Sequence, residues 1–255
     1  MPDTSRAIVL TPLTQSDAEI DNLVGKLQAY ADAFELSLSD DQAQQCIKHL
    51  LYVCQVNEYM NLTRITNIDE AIVLHILDSL LLAKAVDAAP DKFLDFGTGA
   101  GFPGIPFGIY LGSPGILLDS VGKKISAVNV FCNELGLSYL SGVHDRVEAY
   151  AKQHKHEFDC VLARAVAALP VLLEYATPLL QQGGHVVFAK ANPEASELEA
   201  GDRVAKICGL KLIRSLEFDL SCDLGHRTIL VYEKYKPASI KLPRAVGMAR
   251  KNPLG

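Results

Sequence analysis

No apolar run in this 255-residue chain approaches the roughly twenty residues that a membrane span requires, and the stretch Ala7-Ile8-Val9-Leu10 is too short for a secretory signal core. No C-x-x-C spacing occurs, and the six cysteines (Cys46, Cys54, Cys132, Cys160, Cys208, Cys222) have no histidine partners at ligand distance. A zinc site and a disulfide framework are therefore excluded as organising features, and the thiols are read as reduced core residues of a cytoplasmic protein. Internal repeats and low-complexity tracts are also missing. What remains is a chain with 49% hydrophobic and 21% charged residues, long enough to bury a large core without metal or cross-links.

Acidic residues are lacking in one place. Residues 234–255 contain Lys234, Lys236, Lys241, Arg244, Arg250 and Lys251 but no Asp or Glu, so this end carries +6 while the chain as a whole carries −6. A basic tail on an acidic body suits either an electrostatic arm for nucleic acid or a solvated terminus. The organisation expected is a helical region over 1–88, a ligand-binding domain over 89–236, and a basic tail over 237–255.

The chain is organised around Lys92-Phe93-Leu94-Asp95-Phe96-Gly97-Thr98-Gly99-Ala100-Gly101-Phe102-Pro103-Gly104. A short apolar run followed by glycines at alternate positions reads as a buried strand ending in a tight turn against a ligand, with a helix opening after Pro103. Such turns lie at the carboxyl edge of open α/β sheets, where ligands bind. Gly99 to Gly104 satisfies the dinucleotide pattern G-x-G-x-x-G. Read from the strand end, the stretch is instead Asp-x-Gly-x-Gly-x-Gly, the first loop of S-adenosylmethionine-dependent methyltransferases. The second reading fits the strand boundary better, and the carboxylate of Asp95 suits a cationic amino-acid ligand better than a pyrophosphate. A turn serving only strand-to-helix packing is the third reading.

Ahead of the loop, Ser16-Asp17-Ala18-Glu19 and Ser39-Asp40-Asp41-Gln42 have capping-box spacing, each followed by apolar residues at helical period. They predict two amphipathic helices, forming a cap over a cleft or a cover for one sheet face. A third helix is expected over 69–86, with His75, Asp78 and Ser79 on one face. That trio reads either as a polar cluster at the cleft mouth or as a histidine satisfied by its neighbouring carboxylate. After the loop, strands are expected near 115–119, 140–143, 158–163 and 184–189, alternating with helices. Asp119, 18 positions past Gly101, is placed to accept hydrogen bonds from ribose hydroxyls. The segment Asp145-Arg146-Val147-Glu148 is read as a loop clasping an adenine. Arg164 ends an apolar strand facing the crevice. Two final strands, near 211–216 and 228–232 with no helix between them, predict an antiparallel closing pair.

Taken together, Met60-Asn61-Leu62-Thr63, His75-Ile76-Leu77-Asp78-Ser79-Leu80, the stretch 95–106, Leu118-Asp119-Ser120 with Gly122-Lys123-Lys124, Ala163-Arg164-Ala165, and Lys241-Leu242-Pro243-Arg244 resemble the ribosomal RNA small subunit methyltransferase G family, also called glucose-inhibited division protein B. The likeness runs from about Leu38 to Leu254. Where the family usually has Leu-Lys-Gly this chain has Ala189-Lys190-Ala191, and where an acidic residue usually precedes an arginine it has His226-Arg227. The residues before Leu38 are an extra segment relative to the family pattern.

The resemblance implies a Rossmann-like class I methyltransferase sheet that moves a methyl group from S-adenosylmethionine to N7 of a guanine in small-subunit (16S) ribosomal RNA. By motif position it implies cofactor contacts at Gly97, Phe102, Val147, Glu148 and Arg164. With the loop and ribose readings, the expected cofactor set is Asp95, Gly97, Gly99, Gly101, Phe102, Asp119, Val147, Glu148 and Arg164. Lys123, Lys124, Lys190 and Arg244 are expected at RNA. No residue is assigned proton transfer, no metal or membrane is expected, and the chain is read as a monomer. A nicotinamide-dependent oxidoreductase and a non-enzymatic RNA-binding assembly factor are the competing readings.

Overall fold

The computed structural model describes residues 8–255. In chain order the elements are α1 (Asp17–Asp32), α2 (Asp40–Asn57), α3 (Ile68–Ala71), a π-helical segment (Ile72–Leu77), α4 (Asp78–Lys84), β1 (Phe93–Phe96), α5 (Gly104–Leu111), β2 (Gly115–Asp119), α6 (Gly122–Glu134), β3 (Leu140–His144), α7 (Val147–Gln153), β4 (Phe158–Arg164), α8 (Leu169–Ala176), β5 (Leu180–Lys190), α9 (Ala195–Cys208), β6 (Leu210–Asp219), β7 (His226–Lys234) and α10 (Met248–Lys251).

The strands form one sheet in the order β3-β2-β1-β4-β5-β7-β6. β1, β2, β3, β4 and β5 pair in parallel, while β7 runs antiparallel to both β5 and β6. The mostly parallel sheet with an antiparallel closing pair is thus present. Because side chains alternate across a strand, β1 feeds two cores. Phe93 joins the cluster beneath the N-terminal helices and α5, whereas Leu94 and Phe96 join the cluster under α8 and α9. β4 splits the same way, with Leu162 in the first cluster and Val161 and Ala163 in the second. Parallel strands buried on both faces are near-continuously apolar, which is why β1 and β4 stood out in the sequence.

Both capping boxes form: Ser16 with Glu19 opens α1, and Ser39 with Gln42 opens α2. The buried stripes of these helices, including Leu27, Cys46, Ile47 and Leu50, pack in the cluster that also holds Phe93 and Val187 of the sheet.

Three local expectations are corrected. The helix expected over 69–86 is interrupted by the π-helical segment, in which the amide of Asp78 reaches back to the carbonyl of Val73. That extra residue per turn changes which side chains share a face, and π turns of this kind recur at functional sites. Asp78 consequently does not satisfy His75, whose Nε2 meets Thr63 Oγ1 at 2.7 Å. Val147 and Glu148 open a short helix rather than lying in a loop. The tail, finally, is folded onto the body: Leu242 and Ala249 are buried in the second cluster.

Candidate functional site

At the carboxyl end of β1 the chain turns through Gly97 and Gly101 with φ of 76° and 95°, left-handed values that glycine adopts without a Cβ penalty. Space demands glycine as well. A Cβ on Gly97 would lie 2.6 Å from Val166 Cγ2, and one on Gly101 would lie 2.5 Å from Ile105 Cδ1. The turn is locked to the next strand, since the Gly97 amide donates to Leu118 O at 2.7 Å and the Gly99 amide to Asp119 Oδ2 at 3.0 Å.

Asp95 is fully buried beneath this turn, and its Oδ2 accepts the amide of Gly104, the first residue of α5, at 2.8 Å. Burial pushes its pKa up to about 7, opposed by the hydrogen bond from the Gly104 amide and by the Arg164 cation. The side chain does not line the cavity next to the loop. Asp95 ties the loop to the helix through Oδ2, while its Oδ1 has no hydrogen-bond partner among the described residues.

That cavity, of about 370 Å³, is lined by Gly97, Asp119, Val147, Glu148, Gly247 and Arg250 among others. Its lining, with the Asp119 carboxylate as acceptor and Val147 as apolar wall, fits an adenosyl ligand. A side chain at Gly97 would collide with Val166, which lines the cavity beside it. Asp119 Oδ1 accepts from the Val121 amide at 2.9 Å, and each carboxylate oxygen keeps a lone pair for a further donor such as a ribose hydroxyl. Val147 supplies apolar wall at the third strand's end.

Arg164 lines a second cavity, of about 480 Å³, with His75, Asp78, Lys190, Ala191 and Arg227. Ala165, with φ of 55°, lines both cavities and marks where they adjoin. The Asp78 carboxylate is shared: Arg164 donates to one oxygen at 2.8 Å and Arg227 to the other at 2.9 Å. Lys190 pairs with Glu197 at 2.7 Å. Three cations surround this cavity, yet each has a carboxylate partner, so the site orients hydrogen-bond donors without a dense positive field.

Phe102 lies between two imidazoles, stacked on His75 at 4.7 Å and tilted against His49 at 4.5 Å, with the Arg164 guanidinium 6.0 Å from its centroid. It is buried, does not line the first cavity, and buttresses the loop through these stacked contacts. His49 Nε2 lies 2.9 Å from Ala100 O, which requires that nitrogen to carry the proton and donate. Burial holds both imidazoles neutral, lowering His49 to about 4 and His75, which also feels the Arg164 charge, to about 3. Of the expected RNA contacts, Lys123 is exposed and Lys124 lines the first cavity. Arg244 grips Glu174 through two bonds of 2.7 and 2.6 Å, so its guanidinium is committed inside the protein.

His49, Tyr175 and Gly247 were not singled out in the sequence, and Arg250 stood out only as one of the basic residues of the tail. A histidine amid the apolar stripe Cys46, Ile47, Leu50 and Val53 was the one available signal; the others become neighbours only through folding.

The family described as GidB, rRNA small subunit methyltransferase G, matches residues 42–221. The ribosomal RNA small subunit methyltransferase G of Desulfitobacterium hafniense is 36% identical over 239 residues, covering 92% of this chain and 98% of that protein. The chain belongs to this family. The ribosomal RNA small subunit methyltransferase G of Exiguobacterium sibiricum is 37% identical over 224 residues, covering 86% and 94% of the two chains. With 92% of the chain covered by the first relative, part of the segment before Leu38 is shared within the family rather than extra. Among solved structures, a putative sarcosine dimethylglycine methyltransferase from Galdieria sulphuraria superposes with a TM-score of 0.52 at 14% identity, covering 68% of this chain and 89% of that one. Geranyl diphosphate C-methyltransferase from Streptomyces coelicolor does so with a TM-score of 0.51 at 11% identity, covering 62% and 80%. These neighbours share the class I methyltransferase sheet. Among the described residues no helix is long and apolar enough to cross a membrane, and no group of three or more His, Cys, Asp or Glu could hold a metal.

Proposed function

We propose that the chain transfers a methyl group from S-adenosylmethionine to N7 of a guanine in small-subunit (16S) ribosomal RNA. Family membership over nearly the full length of its relatives carries this reading, and the pair of cavities joined at Ala165 gives it a place. The first cavity takes the adenosyl group: Asp119 accepts the ribose hydroxyls, Gly97 leaves room for the ligand, and Val147 and Glu148 flank the base. The second receives the guanine, with Arg164, Arg227 and Lys190 as donors to its acceptor edge and to phosphate.

Bound S-adenosylmethionine supplies an electrophilic methyl on a sulfonium. N7 of guanine carries a lone pair and no proton, so none of this chain's residues has to act as a base. Their work is alignment, which is worth roughly 7–11 kcal/mol when two reactants are held in register. The neutrality of His75, with Asp78 and Glu197 balancing two of the three positive charges, limits the positive charge facing a purine that becomes cationic.

The nicotinamide reading gains no support, because the chain's relatives are methyltransferases. Calorimetry separates the two, with S-adenosylhomocysteine expected to bind and NAD expected not to. We further read the chain as a cytoplasmic monomer, which sedimentation of the purified protein tests through its mass.

A further inference from the structure

The basic tail was expected to reach outward, yet it returns to the cofactor cavity. From Leu242, buried in the second core cluster, the chain runs through Arg244, anchored on Glu174, to Gly247 and Arg250, both of which line the cavity of about 370 Å³. The Gly247 amide donates to Glu148 Oε1 at 2.7 Å, and Arg250 donates to Val166 O at 3.2 Å. Ala249 is buried between these two contacts. The tail is therefore fastened at three points: to α8 through Glu174, to α7 through Glu148, and to the segment after β4 through Val166.

We propose that residues 244–251 form the outer wall of the nucleoside end of the cofactor site, with Arg250 as a ligand-contacting residue and Gly247 as a positioning residue acting through Glu148. This rests on the assignment of that cavity to an adenosyl ligand. The end of the ligand follows from the lining: Arg250 shares its cavity with Asp119, Val147 and Glu148, whereas the second cavity, where the methyl must be delivered, opens on the other side of Ala165. An exposed guanidinium tethered to a backbone carbonyl at the rim has its plane available to lie against a heteroaromatic base, a contact arginine makes readily. Gly247 has φ of 79°, and the turn it makes is what aims its amide at Glu148.

The test is calorimetry on the full chain and on Arg250→Ala, with S-adenosylhomocysteine and with 5′-methylthioadenosine, which keeps the nucleoside but lacks the amino acid. The expected result is an affinity loss of about tenfold for both ligands, with the melting temperature of the ligand-free variant unchanged. Limited trypsin digestion gives a second readout, because S-adenosylhomocysteine should slow cleavage after Arg250 and Lys251 in the unaltered chain. If Arg250→Ala binds both ligands as the unaltered chain does, the wall assignment is overturned while the cofactor site stands. Loss with S-adenosylhomocysteine alone overturns the nucleoside-end placement. Failure of the unaltered chain to bind either ligand overturns the cavity assignment and the proposal together.

Discussion

Asp78 and Arg164, 86 positions apart in sequence, are joined by a 2.8 Å bond between carboxylate and guanidinium at the edge of the second cavity. The other Asp78 oxygen takes Arg227, so one carboxylate, 3% exposed, fixes two arginines from different strands. Removing it would leave two poorly solvated cations facing each other. Breaking one side of a buried pair typically costs about 3–5 kcal/mol. Asp78→Ala should therefore unfold at clearly lower denaturant concentration, whereas Asp78→Asn, whose amide oxygen accepts from one arginine while its NH2 group faces the other donor, should fall between Asp78→Ala and the unaltered chain in stability and lose methyl transfer. Urea melts read beside turnover check both; an Asp78→Ala protein with unaltered midpoint would refute the clamp.

Gly97→Ala forces a Cβ into a left-handed position, worth about 1–2 kcal/mol, and drives it against Val166. The variant should be destabilised by at least that amount, and its affinity for S-adenosylhomocysteine should fall because the methyl group enters the cavity wall. Wild-type affinity in this variant would place the ligand away from the loop.

Asp119→Ala removes the acceptor for the Gly99 and Val121 amides together with the expected ribose partner. Charge-assisted bonds contribute roughly 1.5–3 kcal/mol each, so calorimetry should register a weakening of about tenfold or more for S-adenosylhomocysteine. Asp119→Asn should fall between the two, since one oxygen remains. Unchanged affinity in Asp119→Ala would remove the ribose assignment.

Acid should destabilise the protein through its buried imidazoles. His49 and His75 have folded values of about 4 and about 3 against an ordinary 6.5, so between those limits the unfolded chain binds protons that the folded chain does not, and stability drops as pH falls. Asp95 acts in the opposite sense. Its value is raised from 3.8 to about 7, so the folded state keeps a proton that the unfolded state loses, and its contribution declines as pH rises across that window. Two groups outweigh one. The net expectation is lower stability at pH 5 than at pH 6.5, with a slope that flattens in His49→Gln. Urea midpoints measured across this range test the sign.

Much of the fold was legible because its signals are local. Capping boxes at Ser16 and Ser39 and the apolar runs of β1 and β4 are written within a few residues of sequence, and parallel strands buried on both faces leave a clear trace. The glycine loop, Asp119 and Val147 also follow from position at strand ends. What stayed hidden depends on contacts far apart in sequence. Helical spacing left Asp78 either in a polar cluster at the cleft mouth or as the partner of His75; a π-helical segment and two arginines, one of them 149 positions away, take the carboxylate, and Asp78 and His75 both line the second cavity. The glycine pattern and the helix opening after Pro103 were both legible, but not the hydrogen bond that ties Asp95 to the first amide of that helix. The tail's charge suggested an arm, while the residues that anchor it, Glu174 and Glu148, lie in helices with no local relation to it.

The central claim is that the two cavities joined at Ala165 bring a methyl donor to a ribosomal guanine. Its most direct test is incubation of the purified chain with labelled S-adenosylmethionine and small-subunit ribosomal RNA, as naked RNA and as particles, followed by mapping of the modified base. The account predicts label at N7 of a single guanine in at least one of these substrates, reduced in Asp119→Ala at limiting S-adenosylmethionine. Label on another atom or base, or no label with either substrate, would contradict it.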